Sequence, residues 1–330
     1  MKNVLLLLSI CFASVSLAQK PLVVATASIF ADMAKQLGDT LIDVETIVPI
    51  GGDPHSYDPV PSDLILINQA QVVLKNGLTF EKWMDKLIDN SGSSAEVVLI
   101  TKGITPITSQ TYAGSPDPHA WMDAENGLIY AENIYQTLLK LLPEHEPELT
   151  DRFQVYQQSI NDTHQTILSL IQEIPDSQRI LITSHDAFQY FGQKYGLRLE
   201  SVLGTSTEAE AQTRDIEALV RVLRAYPVPA VFVESTVNPK MLQQIAADNQ
   251  VIIGGSLYSD SIGDEDSEAP TYLDMLLHNS RTISNALSKT KVKESIDQPT
   301  SSESPLAKIL VFIGAGFLIV IGLFVSKRFS

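Results

Sequence analysis

Two tripeptides in this chain place an imidazole directly after a proline: Asp53-Pro54-His55 in GGDPHSYDPVPSD and Asp117-Pro118-His119 in SPDPHAWMD. Proline fixes its own φ and biases the preceding residue toward extended backbone, so each histidine is presented on a pre-shaped loop. One such tripeptide is an ordinary polar turn; two in similar settings suggest a shared task. A third histidine, His185 in ILITSHDAFQYF, stands where an apolar strand ends and a helix begins. A carboxylate, Asp260 in GGSLYSDSIG, follows another buried strand. Ligands of open α/β sheets bind beyond the carboxyl ends of the strands. These four side chains could therefore converge on one cleft as candidate ligands. Three neutral imidazoles and one carboxylate supply nitrogen and oxygen donors with a single negative charge, which suits tetrahedral Zn²⁺. Mn²⁺ is harder, prefers more oxygen and sits lowest in the affinity order. Zinc is the expected ion, with manganese or ferrous iron as alternatives if Asp260 binds through both oxygens.

The remaining histidines sit in different settings. His145 lies between prolines and acids in PEHEPE, His164 lies beside Asp162 and Gln165 on a long helical stretch, and His278 lies in DMLLHNSR. All three read as exposed surface residues. Asp58, Asp117 and Asp186 are close enough in sequence to accept a hydrogen bond from the ring nitrogen not used for metal, or simply to cap helices and loops. Glu208 and Glu210 would be the candidate bases of a zinc hydrolase. That reading is disfavoured because H-E-x-x-H is absent and a fourth protein ligand closes the water position.

The elements that must carry these residues alternate. Pro21–Leu37 opens as a strand and turns helical, and Leu41–Ile50, Gln71–Gly77 and Ala95–Thr101 read as strands, with helical spacing in Pro61–Ala70. After Asp123 the pattern becomes helical. Leu149–Ile174 holds Phe153, Tyr156, Ile160, Ile167, Ile171 and Ile174 at helical spacing with no internal proline or glycine. Strands and helices then alternate again from RILITS to VIIGGSLY. The expected fold is α/β, in two lobes, each a mostly parallel sheet with surrounding helices, joined by one long rigid helix.

Both ends carry targeting signals. Residues 1–18 have the charged start, apolar middle and small-residue finish of a secretory signal peptide. The single cysteine, Cys11, lies inside it, so the mature body is expected to lack disulfides. Lipidation of Cys11 is disfavoured because Ile10 stands where a small residue is wanted. Near the other end, Ile309–Val325 has no charge and is followed by Lys327 and Arg328. As a helix, 306–326 would span about 30 Å, enough for one bilayer crossing with the body outside. The net charge of −16 argues against nucleic acid as a partner. The expected organisation is a signal peptide (1–18), an N-terminal metal-binding lobe (19–148), a linker helix (149–174), a C-terminal metal-binding lobe (175–287), a polar tether (288–305) and a transmembrane anchor (306–326).

Taken in order, GGDPHSYDP, NGLTFEKWMDKL, DPHAWMD, TSHDAFQYFGQKYGL and LYSDSIG resemble the motifs of the cluster A-I, or TroA-like, solute-binding proteins of zinc and manganese ABC importers. The resemblance runs from about Val23 to about Leu287. It implies that His55, His119, His185 and Asp260 bind metal. It also implies a non-enzymatic, extracytoplasmic and monomeric protein that passes its ion to a membrane permease driven by a partner ATPase. This chain has no G-x-x-x-x-G-K-[ST] phosphate loop of its own. Some zinc members carry a histidine-rich acidic loop before the second histidine motif; the corresponding stretch here has neither histidine nor acid, which tempers the preference for zinc. A C-terminal anchor departs from the family pattern and leaves a surface adhesin or an anchored metal sensor as the rival reading.

Overall fold

The structure is a computed structural model that describes residues 19–108, 114–208 and 211–288. β1 (Leu22–Ala25) leads into α1 (Ser28–Gly38), and β2 (Asp43–Thr46) leads into the first histidine loop. α2 (Pro61–Gln69), β3 (Val72–Lys75), α3 (Trp83–Ser91) and β4 (Glu96–Leu99) follow. The four strands form one parallel sheet in the order β2-β1-β3-β4. All four residues of the inner strand β3 are buried, as expected when helices cover both faces of a parallel sheet.

α4 (Ala124–Leu141) is capped by the Asp123 side chain, which accepts from the Glu125 amide. α5 (Glu146–Gln172) is 27 residues long, about 40 Å. It starts before the stretch whose apolar spacing marked it, because Pro147 sits in the first turn, where a missing amide hydrogen costs no intrahelical bond. Its apolar stripe packs on α4 and α1, with Tyr135 and Phe153 stacked at 4.4 Å. The second lobe holds β5 (Ile180–Thr183), α6 (Gln189–Tyr195), β6 (Arg198–Ser201), α7 (Thr213–Ala225), β7 (Ala230–Glu234), α8 (Lys240–Asp248) and β8 (Ile252–Leu257). β5 pairs with β6 and β7 with β8, both in parallel, and β5 lies beside β7.

α9 (Tyr272–Leu287) returns across α5 and onto α1. The Tyr272 amide donates to buried Asp32 of α1 at 2.8 Å, and the Tyr272 hydroxyl donates to the Trp121 carbonyl at 2.6 Å. One continuous core therefore runs from Phe30, Trp121 and Tyr130 to Phe188, Phe191 and Tyr272. Each such side chain contributes about 1.5–3 kcal/mol on burial.

Two expectations change. His164 was expected on the surface; it is buried against α6, with Nδ1 3.1 Å from the Tyr195 hydroxyl. The polar neighbours in sequence face solvent while His164 takes the inner face of α5. The expected transmembrane helix is also corrected. Among the described residues, no helix is long and apolar enough to cross a membrane. The longest described helix, α5, carries charge along its outer face, and 306–326 lies outside the described residues, as do 1–18 and the tether beyond Ser288. The architecture is two-lobed α/β with parallel sheets and without a membrane-spanning element among those residues.

Gly192 of α6 lets the helix sit on the chain that follows it. A Cβ there would fall 1.8 Å from Leu199 Cδ2 and 2.8 Å from the Leu197 carbonyl. Gly192→Ala is expected to lower stability by about 1–3 kcal/mol, as overpacking does. Urea denaturation of metal-free protein measures this; an unchanged midpoint would contradict the close approach.

Candidate metal centre

His55 stands in the loop after β2. Asp53 Oδ1 accepts from the His55 amide at 2.9 Å, Asp53 Oδ2 accepts from the Ser56 hydroxyl at 2.9 Å, and Trp83 Nε1 donates to the Pro54 carbonyl at 2.8 Å. Asp53 Oδ2 also accepts from the Thr207 hydroxyl of the second lobe. His119 is held more tightly. Asp117 Oδ1 accepts from both its amide, at 2.9 Å, and its ring Nδ1, at 2.8 Å. That fixes the tautomer that directs Nε2 inward. Asn76 Nδ2 donates to the Pro118 carbonyl at 3.0 Å and pins the loop from β3.

His185 follows β5. Its amide donates to Glu234 Oε1 at 2.8 Å, and Glu234 Oε2 lies 2.6 Å from its Nδ1. Asp260 follows β8 and is clasped to the first lobe on both sides. Trp121 Nε1 donates to the Ser259 carbonyl at 3.0 Å, and the Gly51 amide donates to Ser261 Oγ at 2.8 Å. Ser28 Oγ lies 3.1 Å from Ser261 Oγ. Asp260 Oδ2 accepts from Thr236 and Ser259 hydroxyls at 3.1 and 3.2 Å.

The four side chains thus meet, with one donor atom from each within 4.8 Å of the others. His119 Nε2 is 3.1 Å from His55 Nε2 and 3.4 Å from His185 Nε2. Asp260 Oδ1 is 3.3 Å from His119 Nε2 and 3.9 Å from His55 Nε2, while Oδ2 is 3.3 Å from His185 Nε2. Donors placed about 2.0–2.1 Å from a tetrahedral ion lie about 3.3–3.4 Å apart, so the spacing fits one such cation. Asp260 Oδ1 is buried without a hydrogen-bond partner among the described residues and faces two imidazole nitrogens, an arrangement that fits a cation.

The electrostatics are uneven. His119, His185 and Asp260 are fully buried, and His55 keeps 4% of its surface exposed. Burial drives His55 down to about 3, only partly offset by Asp260. Burial also opposes protonation of His119, but Asp117 and Asp260 outweigh it and raise it to about 9. His185 is raised in the same sense by Glu234 and Asp260, again against burial. Burial would raise Asp260, yet His185 and His119 hold it well below the usual carboxylate range.

Of the three aspartates considered as partners from sequence, only Asp117 touches a candidate ring. Asp58 is exposed, and Asp186 accepts from Gln189 Nε2 at 2.8 Å. Sequence reasoning missed Glu234, at the end of AVFVE, and the Phe80–Glu81 pair. Phe80 meets the His55 ring edge-on at 4.9 Å. Glu81 gathers the Asn76 amide at 2.6 Å, the Gly77 amide at 3.0 Å and the Thr26 hydroxyl at 3.1 Å, and burial pushes it up to about 7. It pins a turn in which Gly77, Leu78 and Thr79 all have positive φ, of 75°, 51° and 73°. A glutamate beside phenylalanine six residues beyond the end of an apolar strand was the available signal. Glu208 lines a cavity at the His55 side, and Glu210 lies outside the described residues.

Comparison with known proteins agrees with this architecture. The profile of the family described as zinc-uptake complex component A, periplasmic (ZnuA), matches residues 23–286. The metal ABC transporter substrate-binding lipoprotein SsaB of Streptococcus sanguinis is 33% identical over 86% of this chain and 97% of its own length. The manganese-binding lipoprotein MntA of Halalkalibacterium halodurans is 33% identical over 81% of this chain and 88% of its own. Among solved structures, the periplasmic zinc-binding protein TroA of Treponema pallidum superposes with a TM-score of 0.78 at 32% identity, covering 82% of this chain and all of TroA. A Mn-bound periplasmic metal-binding protein from Candidatus Liberibacter asiaticus gives 0.75 at 28% identity over 81% of this chain. SsaB is named as a substrate-binding protein of an ABC transporter, and the other three as metal-binding proteins; none is named as an enzyme. On these matches the chain belongs to the zinc-uptake complex component A family, the metal-binding, substrate-binding proteins of ABC importers.

Proposed function

We propose that this protein captures one divalent cation between its lobes through His55, His119, His185 and Asp260, and delivers it to an ABC permease powered by a separate ATPase. The supporting observation is the convergence of four buried donors with spacings suited to a single ion. The division into metal-binding lobes at 19–148 and 175–287 about the 149–174 helix belongs to the same proposal. Zn²⁺ is the preferred cargo, because three neutral nitrogens and one carboxylate match its tetrahedral demand. A second reading, Mn²⁺, is favoured by Asp260, whose two oxygens both face histidine nitrogens and so offer a bidentate, oxygen-richer site. MntA is named for manganese and TroA for zinc, so the names of relatives support both. Attachment to the outer face of the membrane follows the relatives named as lipoproteins.

Competitive titration with Zn²⁺ and Mn²⁺ decides the cargo. Zinc is expected to win by more than about tenfold, or about 1.4 kcal/mol; the reverse ratio selects manganese. In the same titration Asp117→Asn is expected to weaken binding by about 10–100-fold while one ion per chain is retained, since Asp117 only orients His119.

Loading must displace protons. Because His119 and His185 are raised, the free protein keeps protons there near neutrality, and metal competes for the same nitrogens. Affinity is therefore expected to rise between pH 6 and about 9, with proton release on binding that differs between buffers of unequal ionisation enthalpy. Calorimetry in two buffers measures it, and a pH-independent affinity would contradict this assignment.

A further inference from the structure

The three histidines are not equivalent. His119 and His185 each have a buried carboxylate holding both amide and ring, and both are fully enclosed. The His55 carboxylate partner reaches only its amide, and its ring is the one that keeps surface. A cavity of about 340 Å³ opens onto His55, lined by Thr79, Lys82, Ser115, Thr205, Ser206 and Glu208. A larger cavity of about 500 Å³ shares Glu208 with it, takes in Asp53 and Thr207, runs on to Ser184 and Met241, and includes none of the four donors. Phe80 closes the side of His55 away from solvent.

Resting on the function proposed above, we infer that the ion enters and leaves through the smaller cavity, with His55 the first donor to engage and the last to let go. Glu208 and Lys82 stand on this route with opposite charges. Glu208, which lines both cavities, draws a divalent cation inward, and Lys82, which lines only the smaller one, opposes its passage. The chemistry that can use the route is that of a bare or hydrated divalent ion; the polar lining of hydroxyls provides transient oxygen contacts during dehydration.

The test separates rate from equilibrium. Ser206→Trp places a bulky ring on the route, and Met241→Trp places one in the larger cavity. Stopped-flow loading with Zn²⁺, and its removal by excess chelator, give the two rates; competition gives Kd and stoichiometry. Ser206→Trp is expected to slow loading and removal by the same factor, about tenfold or more, leaving Kd unchanged, while Met241→Trp alters neither rate. Unchanged rates in Ser206→Trp, or slowing in Met241→Trp, overturn the route. Charge variants give an independent reading should the tryptophan variant fail to fold. Glu208→Gln is expected to slow loading and Lys82→Gln to speed it, with both differences vanishing in about 1 M salt, where screening acts within about 3 Å. Changes of the same sign, or none, also overturn it. If the unsubstituted protein takes up no ion, the proposed function itself fails; one ion per chain with unaffected rates removes only the route.

Discussion

Complete enclosure of Asp260 is the constraint on which the rest of the structure depends. A carboxylate removed from water costs several kcal/mol unless charge and hydrogen bonds are supplied in its place. Its side chain has no exposed surface, and only one of its two oxygens receives hydroxyl hydrogen bonds. The three imidazoles supply the remainder. Asp117 and Glu234, set against the outer nitrogens of His119 and His185, favour positive character on those two rings and so help to hold Asp260 ionised. On the proposed function, a dication would take the place of that positive character beside Asp260.

Support for the cluster comes at the cost of local strain. Leu78 and Thr79 adopt left-handed backbone that residues other than glycine rarely take, least of all a β-branched one such as Thr79, at a cost on the order of 1–3 kcal/mol each. Glu81, fixed by two amides and a hydroxyl, holds them there. The turn delivers Phe80 to His55, replacing water at that ring with an aromatic edge and driving its proton affinity down. One ring backed by an aromatic edge and two rings backed by carboxylates thus arise from different neighbours, not from different residue types.

What could be read from sequence follows physical range. The Asp-Pro-His tripeptides and the strand-to-helix setting of His185 are local patterns, and each marked a residue that the fold brings to the cluster. Alternating apolar runs likewise gave a parallel α/β plan. Glu234 was illegible because its partner lies 49 residues away across a strand pair, and nothing in AVFVE distinguishes a strand-end glutamate from a solvated one. His164 misled because composition nearby reports the average exposure of a helix, not the face one side chain takes. The apolar run near the C-terminus could be judged by composition alone, and the described fold contains no counterpart to it.

The serine clasp joins Ser28 to Ser261 across 233 positions of sequence. No nascent chain that lacks its last quarter can assemble the four-donor cage, however well its first lobe has folded. On the proposed function, a cation could be enclosed by all four donors only after that late segment has docked on the first lobe, so the order of synthesis itself delays closure of the cage.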